Sequence, residues 1–173
     1  TRSSTAAPRR TATRTSRWRP GTRFSYSNLG PAAAAYAIEK ITGQRFEDYV
    51  NENWFRPLDM KTASYFGTPE VRQQITQLHG SDGRTTYPYW KISVRPAGAI
   101  NASARDMAGY IQFFLNRGAY VGAQLLPPSV IDRMEHPTTT YAARDGLSAG
   151  YGLHLMMSVH DGRAWFGHNG GVM

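Results

Sequence analysis

The spacing of apolar residues changes once along this chain, and that change limits the folds available to it. Between about residues 31 and 135, apolar side chains recur in several segments at intervals of three and four, as in helices that bury one face. From residue 151 onward the apolar side chains alternate with small or polar ones, as in a strand with one buried face. The alternating apolar positions are Tyr151, Leu153, Leu155, Met157 and Val159. The sequence therefore predicts a set of helices followed by strands.

Five helices are predicted, and their ends carry the usual start and stop residues. Pro31 suits the first turn of the first helix and Gly43 ends it. Ser103 and Asp106 have the spacing of a capping box for the fourth. The predicted helices span residues 31–42, 45–54, 69–77, 104–117 and about 128–135. The rest of residues 61–100 is predicted to be a long loop region rich in turn residues.

The spacing also assigns a buried face to three of these helices. The first helix is expected to bury Ala34, Ile38 and Ile41. The second is expected to bury Phe46, Tyr49, Val50 and Trp54. The fourth is expected to bury Met107, Tyr110, Ile111, Phe114 and Leu115.

The strand at 151–159 is predicted to pair with a returning strand at 164–168. His160-Asp161-Gly162-Arg163 between them reads as a tight hairpin turn with Asp-Gly at its centre. An isolated two-stranded hairpin is marginally stable, and no further strands follow it in the sequence. We therefore expect the domain to be incomplete in this chain.

Most of the positive charge lies near the beginning of the sequence. The chain has 20 Lys and Arg residues against 12 Asp and Glu residues, a net charge of +8. Residues 1–19 hold six arginines and no acid, which leaves +2 for residues 20–173. We predict that residues 1–19 form a disordered Arg/Thr/Ser-rich leader and that residues 20–173 form the folded domain. Nucleic-acid binding through this arm is an alternative, but no finger, helix-turn-helix or RNP pattern supports it, and no nucleic-acid partner is expected.

Composition excludes several kinds of site. The chain has no cysteine, so disulfides, thiolate catalysis and cysteine-bound zinc are ruled out. The histidines lack the spacing of a zinc motif, so no metal site is predicted. No apolar run reaches 18 residues, so no membrane span is predicted. The cellular compartment is left unknown.

Two short motifs suggest chemistry. Tyr26-Ser27-Asn28 precedes the first predicted helix, and Gly167-His168-Asn169-Gly170-Gly171 follows the last predicted strand. The run PGTRFSYSNLGPAAAAYAIEKITGQRFEDYVNENWFRPLDMKTASY, which contains the first motif, resembles the serine β-lactamase and penicillin-binding-protein-like superfamily, in its class C β-lactamase and esterase branch. RPAGAINASARDMAGYIQFFLNRG and the later GYGLHL and WFGHNGG are similar to the segments that follow in that branch, in the same order.

The resemblance implies a fold and a set of roles. The fold would be α+β, an antiparallel sheet flanked by helices with a helical subdomain, and the enzyme would use no cofactor. The family's active site combines Ser-x-x-Lys, Tyr-x-Asn and Lys-Thr-Gly or His-x-Gly. By resemblance Tyr26 is the proton shuttle, Asn28 binds the substrate's carbonyl or amide, and His168 with Gly170 forms the third motif. Further substrate-binding candidates are Asn169, Tyr87, Tyr89 and Trp90.

The nucleophile motif is missing from this sequence. The residues three positions before the lysines are Ala37, Leu58 and Pro88, so no Ser-x-x-Lys occurs. We therefore expect a partial serine hydrolase that is inactive as this chain. The alternative is a non-catalytic module that binds a peptide or cell-wall fragment. His168 in place of a lysine shifts the expected substrate from penicillins toward esters or small D-amino-acid peptides, because a neutral imidazole offers a hydrogen bond and no permanent cation.

Overall fold

The computed structural model describes residues 25–137 and 150–171. The proposed leader, residues 1–19, lies outside the described residues, so its predicted disorder stays a prediction.

Helices account for most of the regular structure. They are α1 (Leu29–Thr42), α2 (Phe46–Val50), α3 (Pro69–Gln74), α4 (Ala104–Leu115) and α5 (Pro128–Glu135). A π-helical turn, Asn51–Phe55, continues α2 directly, and a short 3₁₀ turn spans Arg95–Ala97. All five predicted helices are therefore present. The capping box of α4 is confirmed, because Ser103 accepts from the amide of Asp106 while the Asp106 carboxylate accepts from the amide of Ser103.

The strands form three small antiparallel sheets. β1 (Leu78–His79) pairs with β2 (Thr86–Tyr87), and β3 (Ala119–Tyr120) pairs with β4 (Ala123–Gln124). The third sheet has the order β5 (Gly150–Tyr151), β6 (Met156–His160) and β7 (Arg163–Gly167). Its register places Met157 opposite both Gly150 and Phe166. Helices combined with small antiparallel sheets confirm the α+β class.

The hydrophobic core lies where α2, the π-helical turn, α4 and α5 meet. Leu58, Phe113 and Ile131 are completely buried there. Phe46, Tyr49 and Trp54 pack against the buried Val50 and its neighbours, so the predicted face of the second helix is confirmed.

The predicted faces of α4 and α1 are partly wrong. On α4, Met107, Ile111 and Leu115 are 39%, 53% and 74% exposed, whereas Phe113 and Gly109 are buried. A Cβ at Gly109 would lie 2.7 Å from the Leu58 carbonyl oxygen, so this glycine lets the helix approach the core closely. Apolar residues surround most of α4, and spacing alone therefore could not identify the face that packs.

On α1 the buried residue is Ala35, while Ala34 is exposed and Ile41 is 85% exposed. Ile38 is half-buried, as expected. An alanine-rich helix carries little hydrophobic contrast between its faces, so the pattern could not fix its rotation.

The continuous strand predicted at 151–159 is wrong. The chain turns back after Tyr151, and the amide of Gly152 donates to the carbonyl of Leu155 across the bend. His154 takes a left-handed conformation in this bend, with φ 75°. A Cβ at Gly152 would lie 2.1 Å from the Met134 carbonyl oxygen, so the bend packs tightly beside α5. The bend converts the predicted two-stranded hairpin into a sheet of three strands.

Within the described parts of the chain, none of the helices has the length and apolar character needed to cross a membrane.

Candidate active site

The Tyr-Ser-Asn motif occupies the turn that leads into α1. The Tyr26 hydroxyl donates to Asn28 Oδ1 at 2.8 Å. The Ser27 hydroxyl accepts from the amide of Leu29 at 3.2 Å. Asn28 is the residue before the helix, but its side chain makes no capping hydrogen bond. The first turn of α1 thus fixes the backbone of the motif, while Tyr26 orients the Asn28 amide.

His168 reaches this turn from the end of β7. The Tyr26 and His168 rings have centroids 5.9 Å apart and planes inclined by 41°. Tyr26, Asn28 and His168, which the sequence places at opposite ends of the described chain, therefore lie in one site. Their catalytic roles remain a proposal.

Two further side chains surround His168. Its Nε2 lies 3.2 Å from the Tyr151 hydroxyl oxygen, and its Nδ1 lies 2.5 Å from the carbonyl oxygen of Asn169. The His154 ring stacks against the His168 ring, with centroids 5.4 Å apart and planes inclined by 13°. The sequence pattern did not identify Tyr151 and His154 as site residues, because it assigned both to a continuous strand. Only the bend after Tyr151 brings them to His168.

The environment of His154 disfavours positive charge. Burial lowers the pKa of His154, and the neighbouring His168 lowers it further, because two imidazolium rings would repel each other. The neutral form of the His154 ring is therefore favoured, and the ring packs against His168.

An open groove of about 1030 Å³ lies beside the glycines that follow His168. Gly170, Tyr89 and Trp90 are among the residues that line it. Tyr89 is fixed in the wall, because its hydroxyl accepts from the Asn101 amide at 3.2 Å and its ring lies 5.4 Å from the Arg72 guanidinium. Gly170 links the histidine motif to this groove.

The other two candidates differ in position. Tyr87 does not line the larger groove: it borders a smaller recess of about 240 Å³ that shares Tyr89 with the groove, and its ring lies 6.5 Å from that of Trp90. Asn169 is exposed, and its carbonyl holds His168 Nδ1. Tyr89, Trp90 and Gly170 are therefore better placed than Tyr87 to contact a molecule in the groove.

The site brings together a phenol, an amide and an imidazole. Such a set can transfer a proton and hydrogen-bond a carbonyl group, but it contains no activated nucleophile. Among residues 25–137 and 150–171, no three histidine or carboxylate side chains lie together as a metal site would require.

Comparison with known proteins places these features in a family. Residues 3–173 match the family model described as Beta-lactamase. A D-aminopeptidase from Brucella anthropi is 29% identical over 160 residues, which make up 92% of this chain and 29% of that protein.

Two solved structures share the fold. The octameric penicillin-binding protein homologue from Pyrococcus abyssi aligns with a TM-score of 0.67 and 24% identity, over 87% of this chain and 34% of its own. A D-stereospecific amidohydrolase from Streptomyces sp. aligns with a TM-score of 0.65 and 24% identity, over 86% of this chain and 44% of its own.

The chain spans only 20–29% of the length of the curated relatives that it matches. The match of the family model nevertheless extends over nearly all of its residues and includes both motifs of the site. The chain therefore belongs to the Beta-lactamase family of serine hydrolases, within the serine β-lactamase and penicillin-binding-protein superfamily.

Proposed function

We propose that this chain carries the substrate-binding and proton-transfer side of a serine acyl-hydrolase site for small D-amino-acid amides, peptides or esters. The observation that carries the proposal is the convergence of Tyr26, Asn28 and His168. The Tyr26 hydroxyl bonds to Asn28, and the His168 ring lies beside it, 5.9 Å between centroids.

Each residue has a role that fits its chemistry. Tyr26 moves the proton between the nucleophile and the leaving group. It lies in the turn that precedes α1, which begins three residues later at Leu29. The Asn28 amide binds the substrate's carbonyl or amide group.

The proposed substrate class is inferred from the groove next to the glycines that follow His168. The groove beside Gly170 presents the aromatic rings of Tyr89 and Trp90, which suit an apolar side chain or leaving group. His168 supplies no permanent cation for a carboxylate. The similarity to a protein named D-aminopeptidase supports the same class. β-Lactams are therefore the less favoured substrates.

The nucleophile is the part that these 173 residues do not supply. Without Ser-x-x-Lys there is no acyl acceptor for Tyr26 to activate, so we expect the chain alone to bind its ligand without turnover. The missing motif also favours the alternative of a non-catalytic module that binds a peptide or cell-wall fragment.

Binding can be tested with the purified 173-residue chain and D-phenylalaninamide as the probe, followed by NMR titration. We expect saturable shifts at the site, and a dissociation constant about ten-fold higher in Asn28→Ala, because the substrate's carbonyl then loses its donor. Asn53→Ala is the matched control, since this exposed asparagine donates to the Tyr49 carbonyl of its own helical segment. Equal weakening by both substitutions, or equal affinity for L-phenylalaninamide, would contradict the proposed site.

Turnover is tested with p-nitrophenyl acetate and nitrocefin. No turnover is expected from the chain alone. Turnover that Tyr26→Phe abolishes would refute the inactivity and exclude the non-catalytic module. Turnover that survives Tyr26→Phe and labels no serine would refute the mechanism.

A further inference from the structure

Both ring nitrogens of His168 have partners within the protein. Nδ1 lies 2.5 Å from the carbonyl oxygen of Asn169, and Nε2 lies 3.2 Å from the hydroxyl oxygen of Tyr151. The Tyr151 ring also packs edge-on against the imidazole, with centroids 5.8 Å apart and planes inclined by 69°. His168 is therefore held through its edge as well as through its face.

These partners decide which nitrogen carries the proton. A carbonyl oxygen only accepts hydrogen bonds, so Nδ1 must be the protonated nitrogen. In the neutral ring Nε2 is then an acceptor, and it receives the hydroxyl proton of Tyr151. The neutral tautomer with hydrogen on Nε2 does not fit, because it would leave Nδ1 facing a carbonyl without a proton.

We propose that Tyr151 is a positioning residue that occupies Nε2 of neutral His168 while Asn169 keeps the proton on Nδ1, and that Tyr151 thereby gives the site a preference for uncharged carbonyl groups over carboxylates. The preference rests on the proposed function; the tautomer does not. With Nδ1–H bound to Asn169 and Nε2 bound to Tyr151, neutral His168 has no N–H left for an anionic ligand. The His168 ring then contacts Tyr26 through its face and not through a ring nitrogen.

The fold explains how Tyr151 reaches this position. Tyr151 pairs with Met156 in the sheet, and the bend at 152–155 between them carries His154. His154 stacks on the His168 ring while Tyr151 bonds to its edge. One short bend thus places the side chains of Tyr151 and His154 against the same imidazole. A continuous strand, as the apolar alternation suggested, would separate them.

The tautomer can be measured directly in the full 173-residue chain. Histidine labelled with ¹⁵N is recorded at pH 8, above the ordinary histidine pKa of about 6.5, and His168 is assigned from His168→Asn. We expect wild-type His168 to carry its proton on Nδ1. Tyr151→Phe keeps the ring but removes the hydroxyl, and should shift the Nε2 resonance while Asn169 keeps the proton on Nδ1. Tyr36→Phe, an exposed tyrosine on α1, is the control that should leave both nitrogen resonances unchanged.

A wild-type His168 protonated on Nε2 would overturn the proposal, and this result needs no variant that must fold. Identical His168 resonances in Tyr151→Phe and Tyr36→Phe would overturn it as well. Selectivity is measured with D-phenylalaninamide and D-phenylalanine, which share a side chain and differ in charge. We expect the wild type to bind the amide more tightly, and the ratio of the two dissociation constants to fall about ten-fold in Tyr151→Phe, because Nε2, no longer bound to Tyr151, can then take up a proton and donate it to a carboxylate.

An unchanged ratio would overturn the selectivity role of Tyr151. If neither probe bound, the proposed function would fail and the selectivity with it, while the nitrogen resonances would still decide the positioning role.

Discussion

The helical core and the candidate active site are built in different ways. Where α2, α4 and α5 meet, Leu58, Phe113 and Ile131 are 1% exposed or less. Around the site, α1 and the β5–β6–β7 sheet leave large apolar side chains in solvent: Ile41 is 85% and Trp165 is 59% exposed. Packing therefore stabilises one region, while hydrogen bonds and ring contacts fix the geometry of the other. Substitutions in the core should change stability, and substitutions at the site should change orientation and protonation.

Polar groups hold the helical core at its edges. The Asp106 carboxylate joins the cap of α4 to Thr62, to which it is hydrogen-bonded through both the amide and the hydroxyl. Glu47 on α2 is buried and pairs with Arg95. These contacts span 44 and 48 residues of sequence, so they connect segments that helix formation alone would not bring together.

The largest expected effect is the loss of a core side chain. Phe113→Ala should lower the free energy of unfolding by about 3–5 kcal/mol, because it removes a completely buried ring and leaves a cavity. Trp165→Ala, in the exposed sheet, should cost less than about 1 kcal/mol. Urea denaturation followed by circular dichroism measures both. Equal losses would refute the contrast between the two regions.

A smaller loss is expected from the polar edge of the core. Asp106→Asn should lower the free energy of unfolding by about 1–3 kcal/mol, because the charged acceptor shared by Thr62 and Ser103 is lost. Asp48→Asn, at an exposed position on α2, is the matched control and should change it by no more than about 0.5 kcal/mol. An Asp106→Asn variant with the same free energy of unfolding as the wild type would show that the capping network contributes little to stability.

Acid should weaken the same edge. Burial raises the pKa of Glu47 and of Asp106, but hydrogen bonds from Arg95 and from Thr62 and Ser103 outweigh burial and leave both pKa values below their ordinary 4.5 and 3.8. The unfolded chain therefore binds more protons than the folded chain at acid pH. The stabilisation is fully present above those ordinary values and is lost as the pH falls through the lower folded ones.

Thermal unfolding between pH 6 and pH 2 tests this expectation. The midpoint temperature of unfolding should decrease as the pH is lowered through this range, and the decrease should be smaller in Asp106→Asn. An identical pH profile in the variant would exclude Asp106 as a source of the acid sensitivity.

The smallest expected effect lies at the site. Burial keeps the pKa of His154 below its ordinary value, and replacing His168 by Asn removes the ring whose positive form opposes charge on His154, so the pKa of His154 should rise. NMR titration of the His154 ring protons measures the change, with His79→Asn as the control outside the site. A fall in the pKa of His154 would contradict the contact between the two rings.

The accuracy of the sequence predictions follows the strength of the local signal. Helix ends are marked by capping residues that are close together in the sequence, so Ser103 and Asp106 located the start of α4 correctly. Helix rotation depends on what the helix packs against. Gly109 lies on the packed face of α4, where its small size allows a close approach to the core. The large apolar side chains of Met107, Ile111 and Leu115 remain exposed.

The candidate site divides in the same way. Tyr26, Asn28 and His168 were predicted as candidates because they lie in motifs that resemble those of a known family, and the structure brings the three together. Tyr151 and His154 were missed because alternation predicts a strand and contains no signal for the bend at Gly152.

The sequence by itself determined the kinds of elements, their capping residues, the family and the lack of Ser-x-x-Lys, since each of these is encoded in residues close together in the chain. Only the tertiary structure decided which faces of α1 and α4 are buried, that β5 folds back onto β6, and that Tyr151, His154 and His168 meet. Those features depend on close approaches between segments that are distant in the sequence, such as Gly152 against the Met134 carbonyl. No local sequence pattern encodes such contacts, because each depends on the packing of both segments.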